Sequence, residues 1–263
     1  MRLHKELNKK TIDTTFSFNN CNNLDQTNEN VMWNNFTKRF QKENKSIISD
    51  IFYGTLHDQI KCSNKYCGLV KHNFEIFQFL TFDLEIIKQF KISNMNNLMK
   101  SNQQLNNQQM QLNIESLNSI NSVTIFDCFY FSNRIQTLTG NDSIPCGRCN
   151  TFSSYYQSVI FTPPEILILI FDRTQNSKIK LEFIEDLDLS NYIVKAKELG
   201  YMFKLTGVVS KKDENDNYIA YCRNLNNHQW YKYDDNLVSQ VHDFKAQIVN
   251  SGLVTILFYQ KRN

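Results

Sequence analysis

Four cysteines carry the strongest chemical signal in the sequence. Cys62 and Cys67 have four residues between them, and Cys146 and Cys149 have two, in the run CGRC. A spacing of two to four lets one tight turn present two thiolates to a single ion. Four thiolates at about 2.3 Å close a tetrahedral zinc site with no open position, so the arrangement is structural rather than catalytic. The 78 residues between Cys67 and Cys146 exceed a compact zinc ribbon. Tertiary structure must therefore assemble the site, which would clip two hairpins together. A reading as ordinary buried or surface cysteines stands beside this one. Cys128 and Cys222 lie in apolar or aromatic, strand-like runs where a small core residue is expected, and Cys21 sits in the polar run NNCNN.

The elements that must position these thiolates follow from periodicity. From Glu29 to Phe40, Met32, Trp33, Phe36 and Phe40 share one helical face, and Ser46 is a plausible N-cap for a second short helix, SIISDIF, which Gly54 ends. After Cys67, FEIFQFLTFDLEI alternates as a half-buried strand would. Residues 94–121 are asparagine or glutamine at 14 of 28 positions, too polar to support a core, and read as a mobile inserted loop, although Leu98, Leu105 and Leu112 fall seven apart. Beyond it strands dominate. Ile166 to Phe171 is continuously apolar, and later runs ending in LVTILFYQK are separated by polar turns at Lys211 to Asp216 and Leu225 to Asn227, which favours antiparallel hairpins.

Composition bounds the function classes. With 263 residues, 41% hydrophobic and 13% aromatic, the chain can bury one sizeable core. Its 29 basic and 26 acidic residues give a formal charge of +3 without a basic stripe, so nucleic acid is not expected as a partner. No apolar run reaches the roughly 18 residues of a membrane span, and the start MRLHKELNKK lacks the apolar core of a signal peptide. The expected location is therefore cytoplasmic or nuclear, with no membrane partner. Seven cysteines in a reducing compartment suit metal ligands, core residues or nucleophiles better than disulfides.

From about Met32 to Lys261 the chain resembles the carboxyl-terminal part of a ubiquitin-specific protease (ubiquitin carboxyl-terminal hydrolase). The resemblance is carried in order by WNNFTKRFQKENKSIISDIFYGTLHDQIKC, FEIFQFLTFDLEI, TLTGNDSIPCGRC, PPEILILIFDR, YMFKLTGVVS, YIAYCRN, HQWYKYDDNLVS and VTILFYQK. It implies an α+β, papain-like cysteine-peptidase fold with an antiparallel palm sheet, fingers stapled by zinc at Cys62, Cys67, Cys146 and Cys149, and ubiquitin or ubiquitinated proteins as partners. The expected organisation is a disordered lead-in over 1–28 and a partial domain of fingers and palm over 29–263, with 94–121 inserted.

Family members cleave with a cysteine nucleophile, a histidine base and an acid or amide that orients the histidine. Asp234, in WYKYDDN, matches the orienting position, with Asp235 beside it. Asn217, in DNYIAY, stands where the resemblance implies histidine. A carboxamide does not titrate near neutral pH and cannot take a thiol proton. The cysteine box and the helical thumb that follows it have no match here, and Cys21 lacks the flanking glycines of a nucleophile. His228 is expected on a solvated turn. Gln136 replaces a glutamate frequent in relatives, and Lys211, Lys212, Asp213 and Glu214 replace a glycine-containing turn. The expectation is a catalytically inactive, ubiquitin-binding member. The alternatives are a fragment of an active deubiquitinase, or a zinc-stapled interaction module whose exposed palm docks a partner chain.

Overall fold

The computed structural model describes residues 27–101, 121–140, 143, 145–174, 178–194, 200–212, 217–250 and 253–262. Helix α1 (Glu29–Glu43) starts where the Asn28 side chain accepts from the backbone N–H groups of Asn30 and Val31. Helix α2 (Ile47–Phe52) opens on a reciprocal cap between Ser46 and Ser49, and extended backbone at Tyr53 turns it into strand β1 (Gly54–Cys62). The α1 stripe is an anchor: Trp33 packs against Phe74 and Phe161, with ring centroids 5.1 and 4.6 Å away.

Strand β1 pairs antiparallel with β2 (Val70–Phe77) on one side and with β6 (Ser154–Thr162) on the other. Strand β5 (Gln136–Leu138) flanks β6, giving a four-stranded sheet in the order β2-β1-β6-β5. The chain leaves this sheet at Pro163 and Pro164 and enters β7 (Ile166–Asp172), part of an eight-stranded sheet. Its further strands are β3 (Leu80–Asp83), β9 (Asp186–Asp188), β10 (Met202–Lys211), β11 (Tyr218–Arg223), β12 (Trp230–Asp234), β13 (Leu237–Val241) and β14 (Leu253–Lys261). The order is β13-β12-β11-β10-β14-β7-β3, with β9 on the start of β10. All these pairs are antiparallel except β3 with β7. A small parallel pair joins β4 (Ser122–Thr124) to β8 (Lys180–Glu182).

The core lies between the eight-stranded sheet and two helices, α3 (Leu84–Ser101) and α4 (Ile125–Ser132). Leu84, Ile87, Phe129, Leu167, Leu205 and Leu257 are all within 1% of complete burial. Among the described residues no helix is long and apolar enough to cross a membrane.

Three sequence expectations change. FEIFQFLTFDLEI is not one strand: β2 ends at Phe77, β3 covers Leu80–Asp83, and the carboxylate of Asp83 accepts from the N–H groups of Glu85 and Ile86 to start α3. The alternation ran into a helix whose first residues are equally apolar. Helix α3 also takes in residues 94–101, which the polar composition assigned to a loop; residues 102–120, with Leu105 and Leu112, lie outside the described part. Of the two core cysteines, Cys128 is fully buried but on helix α4, begun by a reciprocal cap between Thr124 and Asp127. Cys222 is exposed, because the β11 register turns Tyr221 inward and Cys222 outward. Most of the lead-in over 1–28 also lies outside the described residues.

Candidate functional site

The two cysteine pairs meet at one end of the four-stranded sheet, on turns closed by backbone hydrogen bonds. After Cys62, the chain reverses through a turn in which the N–H of Cys67 donates to the Asn64 carbonyl at 3.0 Å and that of Cys62 to the Leu69 carbonyl at 2.9 Å. Gly68 follows in the left-handed region at φ 62°, where a side chain would be strained. The second pair repeats the device. Cys146 N–H donates to the Thr151 carbonyl at 3.0 Å, Asn150 N–H to the Cys146 carbonyl at 2.8 Å, and Asn150 takes φ 54°. Pairing of Cys62 with Ser154 brings the turns side by side, and the Arg148 guanidinium donates across to the Cys67 carbonyl at 2.9 Å.

The thiols face one another. Cys62 Sγ lies 3.6 Å from Cys149 Sγ, Cys67 Sγ lies 3.6 Å from Cys146 Sγ, and all four sulfurs fall within 4.8 Å. A zinc tetrahedron with bonds of about 2.3 Å has S···S edges of about 3.8 Å, close to the two 3.6 Å pairs, so the four residues fit one such dication. Their electrostatics agree. Burial pushes the Cys62 thiol up to about 12, whereas the Thr151 hydroxyl, 3.1 Å from Cys149 Sγ, helps bring that thiol down to about 6. Backbone N–H groups at Arg148 and Cys149 lower Cys146. The site lowers the thiols of the second turn while raising those of the first, a conflict that a bound cation removes. These four cysteines could hold one metal ion.

A second constellation sits where the large sheet runs out. Strands β10 and β11 close through Lys212 N–H donating to the Asn217 carbonyl at 2.7 Å, and Asn217 is exposed. Asp234 ends β12, before a two-residue turn in which Asp235 adopts φ 52°. The register pairing Ala220 with Tyr233 sets Asn217 diagonally across from Asp234 on one face. Each carboxylate oxygen of Asp234 accepts from an ammonium: Oδ1 from Lys212 at 2.8 Å, Oδ2 from Lys232 at 3.2 Å. With its side chain only 16% exposed, Asp234 is held by these two lysines below the usual carboxylate range. Sequence reasoning missed this use of the lysines. Lys232 was legible as the same-face neighbour of Asp234 two residues along a strand, whereas Lys212 becomes a partner only once β10 and β12 flank β11. His228 stands on an exposed turn at φ 58°, as expected, and Cys21 lies outside the described residues.

The two sheets, with helices packed against the larger, define a mixed α/β protein. Chains of two structures share the fold: the SAGA DUB module Ubp8/Sgf11/Sus1/Sgf73 bound to monoubiquitin, with TM-score 0.59 over 89% of this chain and 46% of that one, and a yeast SAGA DUB module, with TM-score 0.59 over 87% and 45%, each at 20% identity. The family pattern described as ubiquitin carboxyl-terminal hydrolase matches residues 1–259, and the chain belongs to that family. Among curated relatives, a probable ubiquitin carboxyl-terminal hydrolase of Acanthamoeba polyphaga mimivirus is 25% identical over 84% of this chain and 43% of its own length. Ubiquitin carboxyl-terminal hydrolase 2 of Gallus gallus is 22% identical over 98% of this chain and 64% of its own length. The chain thus spans less than two-thirds of the length of these relatives.

Proposed function

We propose that the chain is a ubiquitin-binding member of the family that does not hydrolyse ubiquitin conjugates, with zinc at Cys62, Cys67, Cys146 and Cys149 holding the fingers. The observation that carries this reading is the base–acid pair. Asn217 stands where an imidazole is needed, and it offers no titrating group. Asp234, the acid that would orient that imidazole, is instead engaged by two ammonium groups. In a thiol hydrolase the acid must remain available to stabilise the imidazolium formed when the thiol is deprotonated. Two cations on Asp234 offset that contribution, so among the described residues Asn217 and Asp234 offer a thiol no proton acceptor. What the chain retains is a scaffold: a finger sheet fixed by a metal and a wide antiparallel palm for the globular body of ubiquitin.

Zinc-loaded protein titrated with ubiquitin by calorimetry, alongside turnover of ubiquitin bearing a fluorescent leaving group, tests the proposal. Binding without turnover is the expected result. Turnover, or a complete lack of binding, overturns it.

A second reading, a zinc-stapled interaction module with no affinity for ubiquitin, is favoured by the edge strand β13, where Leu237 and Val238 are 75% and 59% exposed. A lack of ubiquitin binding in the same titration, with a tight complex formed by a strand-donating partner, would select it.

A further inference from the structure

Five residues from Cys62 along β1, and so roughly 17 Å away, a different set of ligand atoms converges. His57 on β1 and His72 on β2 lie on one face of the hairpin, diagonal to each other, since His57 pairs with Phe74 and Gln59 with His72. His57 Nε2 is 3.0 Å from His72 Nδ1. Glu29, the first residue of α1, brings a carboxylate oxygen, so that the three ligand atoms fall within 4.8 Å of one another.

A hydrogen bond between the two rings does not satisfy this pair. His57 is 1% exposed and its Nδ1 is buried without a partner. If Nε2 donates to His72, the orphan Nδ1 is an acceptor; if Nε2 accepts, the neutral ring must carry its proton on Nδ1, and the orphan is a donor. Either tautomer leaves Nδ1 without a hydrogen bond, and so does a cation on Nε2; what points to a ligand is the convergence of the three ligand atoms. Two nitrogens 3.0 Å apart suit another role: with metal–nitrogen bonds of about 2.0–2.1 Å they subtend about 91–97° at a shared cation. That angle is the cis angle of tetragonal or octahedral coordination.

We infer that His57, His72 and Glu29 form a second metal site, which takes a borderline divalent transition ion such as nickel and ties the start of α1 to the β1–β2 hairpin. Imidazole suits such ions, and two imidazoles with one carboxylate form a ligand set that divalent transition ions take. A cation on Nε2 fixes the tautomer with the proton on Nδ1, and the surrounding rings hold the ligand still: His57 stacks on Phe74 at 4.5 Å and meets Phe161 edge to face at 5.6 Å. Burial, the largest influence on His57, lowers its pKa and keeps the ring neutral near pH 7, with its lone pair available. The site is independent of the ubiquitin reading and of the cysteine cluster.

The test is nickel titration of zinc-loaded protein, followed by calorimetry and by paramagnetic broadening of the histidine ring signals in NMR. The expected result is one equivalent bound, with broadening at His57 and His72 and none at the exposed His228 and His242. His72→Ala should weaken binding at least tenfold; Glu29→Gln, at the start of a helix away from the core, should weaken it several-fold without loss of fold. No uptake by the zinc-loaded protein, or uptake unchanged in both variants with broadening confined to His228 and His242, would overturn the assignment.

Discussion

Stripping zinc from the four cysteines should lower the thermal midpoint of the protein by about 9–18 °C. The magnitude follows from the chain that the site closes. Cys67 and Cys146 stand 79 positions apart, and a crosslink removes from the unfolded ensemble the entropy of opening that loop. For a loop of about 80 residues, the chain-entropy relation gives about 4.5 kcal/mol. A protein of this size shifts by about 2–4 °C per kcal/mol, which sets the range. The assay is calorimetric melting of zinc-loaded and chelator-treated protein, with Cys149→Ser as a single-ligand variant and metal content measured on each sample. Acid should act like the chelator, since thiolates must be reprotonated before the ion leaves. A midpoint that moves by less than about 2 °C on chelation, or protein purified with zinc that retains none, would refute both the site and the loop argument.

Other perturbations test separate links. Asn217→His should produce no turnover of a ubiquitin conjugate, because the introduced imidazole faces an acid already held by Lys212 and Lys232; measurable turnover would mean that a nucleophile and a competent acid are both present. Gly54→Ala would place a Cβ 2.4 Å from the Phe77 ring and 2.9 Å from Pro164 Cδ, so it should cost about 1–3 kcal/mol or more, read as a lower urea midpoint. Burial raises the Asp127 pKa, but the Lys91 ammonium at 2.8 Å and the Thr124 groups outweigh it and leave the carboxyl low. Its stabilisation is therefore present above the ordinary carboxylate pKa of about 4 and is lost as pH falls below it. Asp127→Asn should cost about 1 kcal/mol at neutral pH and flatten the acid limb of the stability curve.

The parts of the fold that were legible in the sequence are those governed by one local rule. The α1 stripe of Trp33, Phe36 and Phe40, the Ser46 cap and the apolar run from Ile166 all landed where periodicity put them. The cysteine spacing predicted a cluster that the turns at Gly68 and Asn150 assemble. What escaped needs a partner from elsewhere. Leu84 to Ile86 reads as strand until Asp83 caps it as helix, and polar residues 94–101 are helical because α3 continues from a buried start at Leu84 and Ile87. His57 and His72 are 15 positions apart and carry no motif, so only the β1–β2 register reveals that they meet. The lysines on Asp234 are likewise invisible until β10, β11 and β12 lie side by side.

Strand β14 has a consequence for how the protein is made. It lies between β10 and β7, so before it inserts the large sheet exists only as two unconnected pieces: β7 with β3, and the meander from β10 to β13. Its partners on β7 are some 90 positions earlier, and such long-range pairings are the slow steps of folding. During synthesis the smaller sheet can assemble from residues 54–162 while the larger one waits, with Leu167, Leu169, Leu205 and Val208 exposed to the cellular milieu. The nascent chain therefore has a window in which the smaller sheet is formed and the larger one is open at its centre, and this is the stage at which chaperone capture or misassembly would decide its yield.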